Sequence, residues 1–123
     1  MTLAAFAMLM TGVLLNAAAQ LALKAATNAL GVLTLASDTW PDTLARIATQ
    51  GYFLLGGFLY VLSVFVWILG LSRVPVSVAY PLLSVGYIVN AVAGYYLFQE
   101  NLSLTRITGI LIIIAGVYLV TRS

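Results

Sequence analysis

Four stretches of this 123-residue chain are apolar for about the length a membrane helix needs, and short polar breaks separate them. They cover residues 3–24, 52–71, 76–98 and 103–121. The pattern predicts an all-α membrane protein: a single domain of four transmembrane helices. Polar residues inside these stretches recur at helical spacing. At about 100° per residue, Asn16, Gln20, Lys24 and Thr27 fall within roughly 80° of one another on segment one. Ser77, Tyr80, Ser84, Tyr87 and Tyr95 do the same on segment three. Pro81 interrupts segment three near its start and frees a backbone carbonyl. In lipid such groups are tolerated where they face protein or a wet cavity, so both stripes are expected to turn inward. Segment three is then expected to wall a substrate path.

Segment two gathers Gly56, Tyr60, Ser63, Trp67 and Gly70 on one face. Small residues there permit close helix approach, and the rings can line a cavity or simply pack. Segment four has a strictly apolar core of only 14 residues, 107–120. It reaches spanning length when counted from Leu102 or Ser103, with Arg106 snorkelling to the interface. Gly109 and Gly116 stand seven apart and nearly in line, a smooth seam suited to another helix.

The breaks carry their own signals. Ala17-Ala18-Ala19 resembles a signal-peptide cleavage site, but no Lys or Arg precedes the apolar run and the run is long enough to span, so segment one is expected to remain. Asn28 and Gly31 are candidate ends for the first helix, with 29–36 apolar enough to extend it. Thr39-Trp40-Pro41-Asp42 has the order of a helix start, and a brief amphipathic helix over 41–50, anchored by Trp40 at the membrane surface, is expected there. A plain connecting loop is the alternative. Ser72-Arg73-Val74-Pro75 forms a tight turn, and Gln99-Glu100-Asn101-Leu102-Ser103 is the last break, with Asn101 or Ser103 available as a cap.

Composition narrows the functional classes. Hydrophobic residues make up 63% of the chain and charged residues 7%, with a mean hydropathy of +1.13. A soluble domain of this length could not cover its surface with eight charged side chains. A net charge of +2 is too small and scattered for nucleic acid binding. The chain has no Cys and no His, so it lacks thiolate ligands, the commonest metal ligand and the usual general base; no metal, cofactor or catalytic site is expected. With four spans, Arg73 and Arg122 lie on one side and Arg46, Arg106 and Lys24 on the other. That balance is too even to set orientation, and it leaves antiparallel assembly open. Four helices enclose little, which favours a dimer.

Several of these residues carry a family resemblance. The polar series ending in Lys24, Tyr60, Val74-Pro75-Val76, Ala79-Tyr80-Pro81-Leu82-Leu83-Ser84 and Gly109 through Ala115-Gly116-Val117 together resemble the small multidrug resistance family. They also resemble its neighbours in the drug/metabolite transporter superfamily. The Ala-Tyr-Pro-x-Leu-Ser string, and Glu100 followed by Leu102-Ser103, look most like the subunits of the flippase for aminoarabinose-linked undecaprenyl phosphate. The resemblance implies a small-multidrug-resistance-like bundle in the bacterial inner membrane. It also implies a dimer seam at Gly109 and Gly116, formed with an identical chain or a sister subunit. Proton-coupled exporters of the family place a glutamate eight residues before the segment-one lysine, where this chain has Asn16. Asparagine cannot exchange a proton, and Asp38, Asp42 and Glu100 all fall in predicted loops. The exporters' tryptophan in segment three is replaced by Leu83.

Both departures favour a lipid-linked, anionic sugar as substrate. On this reading Asn16, Gln20, Lys24, Tyr60, Ser77, Tyr80, Ser84 and Tyr87 are the candidate substrate-binding residues. The plainer readings stay open: Lys24 snorkels to the interface, and Asn16 and Gln20 bond across helices, each bond worth about 0.6 kcal/mol. Two other functions stay open as well, export of small cations or drugs and a non-transporting scaffold subunit. A buried carboxylate would have favoured the first and an interaction tail the second; the sequence has neither. Without His or a membrane acid, substrate binding is expected to vary little between about pH 6 and 8.

Overall fold

The computed structural model describes residues 2–31 and 40–122. Thr39, the expected cap, and Asp38 lie outside the described residues. Among the described residues five helices follow one another: α1 (Leu3–Leu30), α2 (Trp40–Thr49), α3 (Gly51–Leu71), α4 (Val76–Leu97) and α5 (Leu104–Arg122). All but α2 are long and apolar enough to cross a membrane, and the protein is an integral membrane protein.

Local chemistry marks the ends. Thr2 Oγ1 accepts a hydrogen bond from Ala5 N–H and starts α1. The helix runs past Lys24 to Leu30 and stops at Gly31, whose φ of 82° suits a residue without Cβ. Arg46 of α2 donates to the Leu30 carbonyl at 2.8 Å, satisfying one of the orphan acceptors there. Gln50 caps α3 through Tyr52 N–H, and Ser103 caps α5 through Arg106 N–H. Pro81 stays inside α4 without ending it.

Packing relies on small residues, because lipid offers no hydrophobic drive between helices and close van der Waals contact must supply the energy. The buried residues of α3 are Gly56, Ser63 and Gly70, seven apart. They receive α1 in antiparallel order: Leu9 against Gly70, the backbone at Trp67 against Gly12, and Leu23 with the Ala19 carbonyl against Gly56. A Cβ on Gly70 would lie 2.5 Å from Leu9 Cδ2, so nothing larger fits without movement. On its other flank α1 runs parallel to α4, with Val13 on Gly86, and Ala5 and Leu9 clustered with Ala79 and Leu82. Helix α5 packs against α4, yet none of its residues is buried. Helix α1 is therefore the hub, packed closely on α3 and on α4, with α5 on the flank of α4.

Candidate functional site

Helix α1 lies between α3 and α4, and its polar stripe faces the crease between them. Gly12 and Ala19 touch α3 while Val13 and Ala17 approach α4. Asn16 and Gln20 fall between those two faces by helical angle. Two cavities open along this stripe. The first, about 270 Å³, is lined by Asn16, Tyr60, Ser63, Trp67, Tyr80 and Leu83. The rings of Trp67 and Tyr80 meet edge to face, with centroids 5.7 Å apart, and close it toward the Val74–Pro75 turn. Ser63 is buried, but its hydroxyl donates to the Tyr60 carbonyl at 2.6 Å, so it turns inward on its own helix. That leaves the Asn16 amide, the Trp67 indole N–H and two phenol hydroxyls as the groups a ligand would meet.

The second cavity, about 200 Å³, lies further along α1 and is lined by Gln20, Lys24, Asn90, Gly94, Phe98 and Glu100. Lys24 Nζ stands 4.0 Å from Glu100 Oε2, and both side chains are about half exposed. A pair this open is worth about 0–1 kcal/mol. Lys24 is not at the helix terminus: six more residues of α1 follow it, about 9 Å of axis.

The backbone delivers Glu100 to this place. Past the end of α4, Gln99 adopts φ 58°, a left-handed conformation uncommon for a residue with a side chain. The chain reverses there, and Glu100 N–H returns to the Gly94 carbonyl at 3.1 Å. The carboxylate then lies over Gly94, where a Cβ would be 2.9 Å from Oε1. One turn earlier, Asn90 Oδ1 is buried with no hydrogen-bond partner.

The candidate residues thus divide. Asn16, Tyr60 and Tyr80 share the first cavity, and Gln20 and Lys24 share the second. Ser84 is half-buried, while Ser77 in the first turn of α4 is exposed. Tyr87 is 63% exposed and Tyr95 48% exposed, on a face of α4 turned away from its buried Ala79, Leu82 and Gly86. Gly109 borders a groove between α4 and α5. At Gly116 an added Cβ would meet nothing within 4 Å. Sequence reasoning missed Asn90, Gly94 and Glu100 as members of a site. The available signal was an asparagine inside a span, four residues before a glycine.

Comparison with known proteins bears on what such a bundle is for. The chain is 36% identical over 114 residues to the probable 4-amino-4-deoxy-L-arabinose-phosphoundecaprenol flippase subunit ArnF of Proteus mirabilis (strain HI4320), covering 89% of this chain and 85% of that one. It is 37% identical over 86 residues to the probable ArnF subunit of Shewanella sediminis (strain HAW-EB3), and 43% identical over 65 residues to the probable ArnE subunit of Erwinia tasmaniensis (strain DSM 17950). These two matches cover 68% and 51% of this chain. The chain spans somewhat over half the length of those two relatives, 57% and 60%. No solved structure matches it. The model of the EamA-like transporter family matches residues 1–122, and the chain, with its four helices long and apolar enough to cross a membrane, belongs to that family, within the drug/metabolite transporter superfamily.

Proposed function

We propose that this chain is a subunit of a carrier that moves a polyprenyl-phosphate-linked amino sugar across the bacterial inner membrane. The observation that carries the proposal is the pair of cavities strung along one polar stripe of α1, from Lys24 to Asn16. A lysine at the end of such a path suits a phosphate headgroup, and amide and phenol groups suit sugar hydroxyls. The relatives are named for an aminoarabinose on phosphoundecaprenol, which supports this substrate class. In this reading Asn16, Gln20, Lys24, Tyr60 and Tyr80 contact substrate within one chain. Ser77, Ser84 and Tyr87 contribute from the exposed face of α4 once a second chain covers it.

That second chain is a copy of this one or a sister subunit, and α5 is its seat. The seven-residue stripe of α3 is filled by α1, whereas the matching stripe of Gly109 and Gly116 on α5 has open space before it. The carrier works without cofactor or metal and makes or breaks no covalent bond.

Vesicles test the reading. Purified chain, alone and with a sister subunit, is reconstituted with a polyprenyl-phosphate aminopentose placed in the inner leaflet. The expected result is a rise in lipid reactive toward a membrane-impermeant amine reagent in at least one arm. No rise in either arm over protein-free vesicles overturns the proposal.

A further inference from the structure

We infer that Lys24 and Glu100 form a headgroup site for a zwitterionic lipid, in which Lys24 takes the phosphate and Glu100 takes a cationic amine on the sugar. The inference rests on the transport reading above and specifies the chemistry its substrate must carry. The ion pair is the starting point. At 4.0 Å the ammonium and carboxylate attract one another but are beyond hydrogen-bond length, which ends near 3.2 Å. Each charge is half exposed to the same cavity. A ligand carrying one negative and one positive group replaces this loose pair with two charge-assisted hydrogen bonds, and leaves neither protein charge unpaired. A ligand with phosphate alone satisfies Lys24 and strands Glu100. The pair is thereby a filter for the amine.

Three further observations point the same way. Asn90 Oδ1 is buried with no partner beside this cavity, an acceptor waiting for an ammonium or hydroxyl donor. Gly94 leaves the space that Glu100 Oε1 occupies, so the carboxylate is aimed by the absence of a side chain. The cavity's 200 Å³ lies below the ~300–1,000 Å³ of pockets that hold whole small molecules, so it suits one part of a larger ligand.

The test measures binding by the full chain in lipid nanodiscs to three probes: decaprenyl phosphate, the same lipid carrying an aminopentose, and its analogue with hydroxyl in place of the amine. The wild type is expected to bind the amino lipid ~10-fold or more tighter than the hydroxyl analogue, the scale of a charge-assisted bond. Glu100→Gln keeps the shape of the side chain, and is expected to bring the two affinities to within about 2-fold while strengthening binding of decaprenyl phosphate, because Lys24 loses its competitor. Gly94→Ala displaces the carboxylate and is expected to cut the same ratio with residue 100 intact. Lys24→Gln weakens all three probes. If Glu100→Gln retains the wild-type preference for the amine, the inference falls. If the wild type binds all three lipids alike, the inference falls while the transport reading stands. If it binds none of them, alone or together with a sister subunit, the transport reading falls and takes the inference with it.

Discussion

Lys24 and Arg122 are both exposed cations on apolar helices, yet their surroundings differ. Lys24 borders a cavity about 9 Å short of the end of α1, whereas Arg122 closes α5, donating to the Tyr118 hydroxyl at 3.0 Å. Removing a charge that binds substrate costs roughly 1.5–3 kcal/mol, about 10- to 100-fold in affinity. Lys24→Ala is therefore expected to reduce transport in the vesicle assay by at least ~10-fold. Tyr80→Phe, which removes a cavity hydroxyl, should cost less than Lys24→Ala but more than Arg122→Ala. Equal effects for all three would mean that the polar stripes are structural. Asn16 sets a further expectation at this scale. An amide holds the cavity position from which an acid would exchange a proton, and the chain has no His. Binding of the hydroxyl analogue, which carries no amine of its own to titrate, should stay level between about pH 6 and 8. A tenfold change accompanied by proton release in calorimetry would contradict it.

Among the helices, contact is governed by which small-residue stripe finds a neighbour. Gly70 sits where a larger side chain would drive Leu9 out of the core, so Gly70→Leu is expected to overpack the α1–α3 contact. The cost should be about 1–3 kcal/mol, read as a lower thermal unfolding temperature in detergent. Gly116→Leu introduces a side chain into open space and, in a detergent that keeps the chain monomeric, should leave that temperature near the wild-type value. Similar losses in both variants would show that α5 has a tight partner within its own chain. The helices themselves were legible, since four apolar runs at spanning length leave the backbone no other way to satisfy its polar groups in lipid. The end of α1 was legible in part: the apolar run suggests a span closing near Lys24, with Asn28 and Gly31 as candidate ends, and the structure takes Gly31, where Arg46, sixteen residues beyond Leu30, donates to the last carbonyl.

For the whole molecule the decisive fact is that one chain leaves so much of its polar and small-residue surface uncovered. The exposed Tyr87 and Tyr95 lie on a membrane-spanning helix, where hydroxyls facing lipid are costly unless they reach the interface or another polar surface. A dimer seated on α5 would bring a second polar face against them. Crosslinking in mild detergent should capture a dimer of the wild type and several-fold less of Gly116→Leu. An unchanged dimer would remove α5 as the seat.

The class of protein, its four spans and the polarity of one face of α1 follow from the order of residues alone, because periodicity and length are local properties of a helix. Which face meets which neighbour is not local. Gly56, Ser63 and Gly70 repeat at the same spacing as Gly109 and Gly116, and no helical wheel tells the stripe that α1 fills from the one left open. The tyrosines of α4 share an angle in sequence, but the chain buries Ala79, Leu82 and Gly86 and divides those tyrosines between a cavity and the outer surface. Glu100 is the sharpest case. Nothing in its neighbours announces that a left-handed Gln99 will fold the carboxylate back over Gly94 to within 4.0 Å of a lysine 76 positions earlier, because that contact exists only once α1 and α4 lie side by side.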